Sequence, residues 1–407
     1  MSSHSPVQPA SFEQFERAAQ RGNVVAVFRT ICEPQTNPVD AFVSLSKRAD
    51  YAFLLESVEG ADKIAKYSFI GANPHMIARG IGNQTLIEND SALATIADRL
   101  PNHIKRHFRE RKLANPEGLP PLAGGVVGYL GYGSARWFEP AVEHIANQAV
   151  PDTDGLLMFY RNIVVFDHEQ RNTKVVATVF TEDAEGPSLK RLYEQAVSET
   201  LRMEALLNSP PTISEEHSDY SLDETCALVA SNWTKEDFES AVDSIKEYIL
   251  AGDCYQAVIS QRFKKRITKL VNDNPIRIYR ALRESNPSPY MYFLKMETET
   301  VIGASPEMLV RCRGRKLDYR PIAGTRPRGA DASDDHRLAE EMRRDEKEVA
   351  EHMMLVDLGR NDLGRVAEYG TVKVEGLMSV EQYSKVQHLV SSLSARSRDD
   401  VDRFDAL

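Results

Sequence analysis

Cysteine and tryptophan are scarce in this chain, with four and two respectively among 407 residues. Cys32, Cys226, Cys254 and Cys312 stand far apart with no C-x-x-C pair. That argues against a disulfide framework and a zinc ribbon and suits a reducing, cytoplasmic setting. Basic residues are a minority, 50 against 60 acidic, giving a net charge of −10. Duplex nucleic acid requires a dense cationic face, so it is not expected as a partner, although a local anion site stays open. No run of about 20 apolar residues is present to span a membrane as a helix. The best candidate, residues 122–133, is shorter and holds five glycines. The first twenty residues lack the apolar core of a secretory leader. What is plentiful is globular material: 42% hydrophobic and 27% charged residues, with a mean hydropathy of −0.40. That composition excludes disorder of the whole chain, and at roughly 100–200 residues per domain the length suits two or three domains or one large one.

The patterning divides the chain into two halves. Residues 24–29, 52–57, 156–167 and 174–181 are rich in Val, Ile, Phe and Tyr and predict strands. A helix is expected over 189–207. The polar stretch 208–223, with adjacent Pro210 and Pro211, predicts a linker or long surface loop. The second half opens with Thr234 and Asp237 at capping-box spacing, apolar Phe238, Ala241, Val242, Ile245 and Ile249 at helical intervals, and Gly252 as the stop. A strand is expected over 254–263, with Cys254 a buried thiol on it. Further strands are expected at 290–295, 300–304, 307–313 and 317–322, and one long helix over 334–358. The class is α+β, with more antiparallel character than a βαβ alternation gives. The expected divisions are 15–181, a helix and linker over 182–231, and 232–407.

Three segments carry chemistry. In residues 345–352, Glu348 lies one helical turn from both Glu351 and His352. Converging carboxylates at that spacing suit a hard cation such as Mg²⁺, and they equally suit a solvated helix face. The apolar run that follows, residues 353–356, draws this helix toward the interior, where unpaired carboxylates are costly. In residues 319–329, a strand runs into Gly324-Thr325, whose bare N–H groups and hydroxyl can meet an anion. Arg326 and Arg328 could grip a carboxylate there, or form a plain basic turn. His388, beside Leu389 and Val390, reads as a core histidine or as a general acid or base. The glycines at 124, 125, 128, 131 and 133 do not form a dinucleotide fingerprint and fit a tightly packed strand.

Together the segments resemble the chorismate-utilising enzymes, and within them anthranilate synthase component I. The likeness runs through Leu54-Leu55-Glu56-Ser57, Tyr67-Ser68-Phe69-Ile70-Gly71, Asn286-Pro287-Ser288-Pro289-Tyr290-Met291, Gly303-Ala304-Ser305-Pro306-Glu307, and residues 321–329, 348–362 and 383–391. It implies antiparallel-rich sheets packed face to face with helices outside, an N-terminal domain at 15–181 and a chorismate-binding domain at 232–407. The implied reaction is that of a carbon–oxygen lyase in tryptophan biosynthesis: chorismate and ammonia give anthranilate and pyruvate. By position, Glu351 matches the Mg²⁺ ligand, with Glu348 beside it. Gly324 and Thr325 match the chorismate contacts, Glu307 the acid for the departing hydroxyl, and His388 the histidine of pyruvate elimination.

Two positions separate relatives. Aminodeoxychorismate synthases that use a covalent lysine carry it where Ala323 stands, and isochorismate and salicylate synthases carry a lysine where Gln256 stands. A methyl group and an amide are neither nucleophile nor base, so ammonia from outside is the expected nucleophile. No glutaminase signature is present, so glutamine use implies a partner amidotransferase and a hetero-oligomer. Glu56, Ser57, Pro289, Tyr290 and Met291 match the family's feedback site for L-tryptophan. Family members continue past the position of Leu407, into a second Mg²⁺ glutamate, an arginine and a tyrosine. Residues 1–407 alone are therefore expected to be inactive. A non-catalytic tryptophan-binding form, or a synthase that stops at aminodeoxyisochorismate, are the alternatives.

Overall fold

Alternation along single strands builds the layers. In Val24–Cys32, Val25 and Val27 face one way while Ala26 and Phe28 face the other. This strand belongs to an eight-stranded antiparallel sheet ordered Val7–Gln8, Val24–Cys32, Asn172–Phe180, Asn162–Asp167, Tyr67–Ala72, Tyr51–Glu56, Tyr290–Met296 and Glu299–Ser305. One face of it packs through Phe15, Ala18, Leu189, Tyr193 and Ala196 on the helices Phe12–Ala19 and Gly186–Leu207. The other face meets a five-stranded sheet ordered Ala92–Ile96, Gln84–Asn89, Met76–Ile81, Gly155–Tyr160 and Gly125–Leu130. In Gly155–Tyr160, Leu156, Met158 and Tyr160 point to the larger sheet, while Leu157 and Phe159 point to the helix Leu100–Arg109. Full burial of each such side chain contributes about 1.5–3 kcal/mol. The glycine-rich strand is tight for a definable reason: a Cβ on Gly128 would lie 1.9 Å from the carbonyl oxygen of Leu156.

The computed structural model describes residues 5–32, 36–58, 66–89, 92–142, 153–182, 184–208, 229–266, 274–383 and 385–407. A third sheet holds the strands Arg311–Arg313, Lys316–Tyr319, Val386–Arg396 and Ile322–Pro327 in that order, with Lys373–Gln382 also paired to Val386–Arg396. The helices Ala332–Arg344 and Glu346–Val366 lie against it, and Leu317, Val356, Leu363 and Leu393 form the shared core. No helix among the described residues is long and apolar enough to cross a membrane.

Several expectations change. The two halves are not separate bodies, because Tyr290–Met296 pairs with Tyr51–Glu56 and completes the large sheet. One compact unit joins Met1–Pro211 with Tyr279–Leu407, and Thr212–Ile278 forms the other, so the boundary expected at 231/232 does not divide the fold. Residues 156–167 become two strands in two sheets. The strand expected at 307–313 is reduced to Arg311–Arg313, and that at 317–322 breaks at Arg320-Pro321, where the proline has no N–H to give a ladder. The helix expected at 334–358 is two helices, since the Asp345 carboxylate caps the second by accepting from the N–H groups of Lys347 and Glu348. Of the linker expected at 208–223, only Asn208 lies within the described residues.

In the smaller unit, the helix Lys235–Ala251 starts as expected. The Thr234 hydroxyl accepts from the Asp237 N–H at 3.1 Å and donates to its carboxylate at 2.8 Å, and Gly252 closes the helix at φ +84°. Residues 254–262 form no strand. Only Phe263–Lys264 is paired, with Ala230–Ser231, and a strand without a ladder partner has nowhere to place its backbone hydrogen bonds. Cys254 is accordingly half-buried rather than a buried strand thiol.

Candidate active site

The turn chemistry read at Gly324-Thr325 is a β-bulge. Ile322–Pro327 pairs with Val386–Arg396, and the register shifts between Ala323 and Thr325, which makes Gly324 the extra residue. Its φ of +77° is one that side chains resist, and a Cβ there would lie 3.1 Å from Leu389 Cδ1 and 3.2 Å from Glu348 Oε2. The bulge brings Thr325 to His388: His388 Nδ1 is 3.1 Å from Thr325 Oγ1 and 3.1 Å from the carbonyl oxygen of Gly324. A carbonyl only accepts, so that contact places the proton of a neutral imidazole on Nδ1 and leaves the lone pair on Nε2. The Tyr383 ring meets His388 edge-on at 5.4 Å.

The helix Glu346–Val366 supplies the acidic wall. Arg326 donates to Glu348 Oε1 at 3.0 Å and to Asp345 Oδ2 at 2.8 Å, so the other Glu348 oxygen is the one beside Gly324. These partners, Glu348 first, raise the guanidinium above its ordinary value. Arg328 is likewise committed, with forked contacts of 2.6–3.1 Å to Asp335 and a bond to the Tyr383 carbonyl. Both arginines that the sequence offered to a ligand are thus engaged by the protein's own carboxylates. His352 departs too: it is wholly buried, with Nε2 2.7 Å from Ser391 Oγ, and burial lowers its pKa. Glu351 is half-buried one turn beyond Glu348. No group of three or more His, Cys, Asp or Glu side chains able to hold a metal converges among the described residues. A Mg²⁺ ion that keeps its waters needs only one or two carboxylates, and the Glu348 oxygen beside Gly324 is of the type that could supply one.

Glu307 is exposed and follows Ser305, whose hydroxyl accepts from the Glu307 N–H at 3.2 Å. Partial desolvation nonetheless raises its carboxyl pKa, and burial first, then the Glu307 charge, raises that of Tyr319. No hydrogen bond joins Glu307 to Gly324, Thr325, Glu348 or His388 among the described residues. Ala323 is buried opposite Leu389. Gln256 is exposed in the smaller unit. Asp345 and Leu389 are functional neighbours that the sequence reading missed. An aspartate just before Glu346-Lys347-Glu348 is a helix-start signal that would have found the first, and no local signal marks the second.

Of the residues assigned to tryptophan, Glu56 and Met291 lie side by side on paired strands. Met291 is in register with Glu56, whose side chain is only 1% exposed. Glu56 Oε2 accepts from the Tyr279 hydroxyl at 2.6 Å and from Arg283 Nε at 3.2 Å. Burial first, then Glu56, raises the Tyr279 phenol pKa. The carbonyl of Ser288, next to buried Pro289, accepts from the Val58 N–H at 3.2 Å and ties this loop to the segment after Glu56-Ser57. Tyr290 is half-buried opposite Ser305.

Residues 50–407 match the chorismate binding enzyme family. The chain is 38% identical to the anthranilate synthase component 1 of Acetivibrio thermocellus, over 98% of this chain and 79% of that relative. It is 36% identical to the counterpart in Synechocystis sp., over 97% and 79%. The crystal structure of anthranilate synthase component I from Streptococcus pneumoniae aligns with a TM-score of 0.67 at 30% identity, covering 84% of this chain and 72% of that one. The menaquinone-specific isochorismate synthase of Escherichia coli, at 14% identity and a TM-score of 0.59 over 98% and 78%, shares the fold. With most of its length inside the family match and relatives above one-third identity, this chain belongs to the chorismate binding enzymes.

Proposed function

We propose that the protein is the large subunit of an anthranilate synthase, which converts chorismate and ammonia to anthranilate and pyruvate. The observation that carries this reading is the Gly324 bulge, where a hydroxyl, an imidazole and one open carboxylate oxygen meet around a position with no side chain. The bulge admits the substrate against bare backbone, and Thr325 orients it. Mg²⁺, held by Glu351 with Glu348, would neutralise the ring carboxylate of chorismate. Ammonia adds at C2 as the C4 hydroxyl leaves as water, and Glu307, with its raised carboxyl, gives the proton that departure needs. His388 then handles the proton moved when pyruvate is eliminated, through the Nε2 left open by the Nδ1 contacts. Ala323 offers no covalent lysine and Gln256 no base for water, which favours ammonia as the nucleophile. Glutamine serves as the nitrogen source through a partner amidotransferase. Tryptophan acts as inhibitor at Glu56, Ser57, Pro289, Tyr290 and Met291, where its amino group competes for the Glu56 carboxylate.

The test is direct. The native protein is mixed with chorismate, Mg²⁺ and ammonium, and anthranilate fluorescence and pyruvate are followed together. Equal amounts of the two, suppressed by tryptophan, are expected. Isochorismate as product, or an aminated product without pyruvate, would overturn the reading.

A further inference from the structure

The imidazole of His388 is anchored through a single ring atom. Its hydrogen-bond contacts among the described residues, to Thr325 Oγ1 and to the Gly324 carbonyl oxygen, are both made by Nδ1, each at 3.1 Å. Contacts at one atom fix where that atom lies and leave the ring free to tilt about it. The tilt matters because the Nε2 lone pair lies in the ring plane, so the plane sets the direction from which His388 can take a proton. The plane needs a second support.

Tyr383 supplies it. Its ring meets the imidazole edge-on, with centres 5.4 Å apart and planes at 63°, inside the range of favourable aromatic contacts. Tyr383 follows the strand Lys373–Gln382, in the turn that leads into Val386–Arg396, the strand that carries His388. Its backbone is pinned at both ends. The N–H donates to the Val386 carbonyl at 2.8 Å, and the carbonyl accepts from Arg328 at 2.8 Å. The hydroxyl is pinned as well: it donates to Glu381 Oε2 at 3.0 Å, and the other Glu381 oxygen pairs with Arg320. Glu381 stands opposite His388 in the strand register, so the clamp and the imidazole are neighbours on one ladder.

Two features assign this clamp to geometry more than to stability. The Glu381 and Arg320 side chains are both largely buried, and desolvation at that depth offsets much of an ion pair's attraction. The Nε of Arg320 is buried with no hydrogen-bond partner among the described residues, a further cost that the pair does not recover. Burial first, then Glu381, raises the Tyr383 phenol pKa, so the hydroxyl stays protonated and remains a donor to that carboxylate.

We propose that Tyr383 is a positioning residue for His388: its ring, tied down by Glu381 and Arg320, sets the plane of the imidazole and so the direction of the Nε2 lone pair. The inference rests on the role proposed above for His388, and it gives Tyr383 no proton to transfer.

The test compares Tyr383→Leu and Tyr383→Phe with the native protein by two readouts. The first is steady-state kinetics with chorismate, Mg²⁺ and ammonium. Tyr383→Leu, which removes the ring, should lower kcat by about tenfold or more and leave KM for chorismate within about twofold. Tyr383→Phe, which keeps the ring and loses only its tie to Glu381, should hold kcat within about threefold of wild type. The second is nitrogen NMR of protein labelled at the histidine rings, with His388→Gln to assign the signal, in mildly alkaline buffer where an ordinary imidazole is neutral. Wild type and Tyr383→Phe should show the His388 proton on Nδ1, and Tyr383→Leu a mixture of both tautomers. Equal kcat in the two variants, a Tyr383→Leu effect confined to KM, or a tautomer mixture in the wild type would overturn the proposal. If Tyr383→Leu does not fold, Tyr383→Met carries the same comparison. A wild-type protein that makes no anthranilate would defeat the proposed function, and the NMR comparison would then decide this inference by itself.

Discussion

Glu56 and Glu348 are both glutamates paired with an arginine, and they are built for opposite tasks. Glu56 is sealed at 1% exposure, and one oxygen takes both the Tyr279 hydroxyl and Arg283. Glu348 is 19% exposed, gives one oxygen to Arg326 and leaves the other beside a glycine. Removing a partner from a sealed pair leaves a desolvated group without compensation, whereas removing one from a wetter pair is partly made good by water. The first carboxylate therefore ties the strand Tyr51–Glu56 to the helix Ile276–Ser285, and the second is available for exchange. Under the proposed function this contrast separates regulation from chemistry: a ligand at Glu56 must displace internal bonds, and a ligand at Glu348 need not.

The sharpest way to test the exchange side is Gly324→Val. A branched side chain at φ +77° meets both Leu389 and Glu348 Oε2, so kcat/KM for chorismate should fall by roughly a thousandfold or more, with a stability loss of about 1–3 kcal/mol. Activity near wild type would show that the bulge is not where substrate sits. The next largest effect contrasts the two glutamates directly. Glu56→Gln should cost about 2–3 kcal/mol in urea unfolding, because Tyr279 and Arg283 lose their charged acceptor. Glu348→Gln should cost less than about 1 kcal/mol. Equal losses would erase the distinction.

The smallest effect is a pH dependence. His168, whose Nε2 is 2.8 Å from Ser68 Oγ, is lowered chiefly by burial despite the nearby Glu56 charge. His75 and His107 are lowered to about 4 and about 3. Below about pH 6.5 the unfolded chain takes up protons that the fold refuses, so this contribution to stability is complete above that value. It is lost as pH falls toward the folded values, by at most about 1.4 kcal/mol per pH unit for each histidine. Unfolding midpoints measured from pH 7 to pH 4 should decline accordingly. His168→Leu should flatten part of that slope, and Glu348→Gln should leave the slope as it was.

Much of the layered region was legible because runs of Val, Ile, Phe and Tyr are a local strand signal. Which way each residue faces was not, since Val25, Ala26, Val27 and Phe28 are all apolar. The breaks at Asp345 and Pro321 were also written locally, as a helix cap and a missing N–H. What local signals do not carry is pairing between distant segments. Nothing near residue 290 says that Tyr290–Met296 joins Tyr51–Glu56, so the two halves were read as separate. The same holds within the site. Gly324, Thr325, Glu348 and His388 were each identifiable, but the engagement of Arg326 by Asp345 and Glu348 depends on how a strand and a helix meet. The turn of His352 toward Ser391 is of the same kind.

The most direct test is titration of chorismate into three forms of the native protein, wild type, Glu348→Gln and Glu56→Gln, at saturating Mg²⁺. The account predicts that Glu348→Gln weakens chorismate by about tenfold or more while Glu56→Gln stays within about twofold of wild type. The reverse order, with Glu56→Gln the damaging change and Glu348→Gln silent, would contradict it.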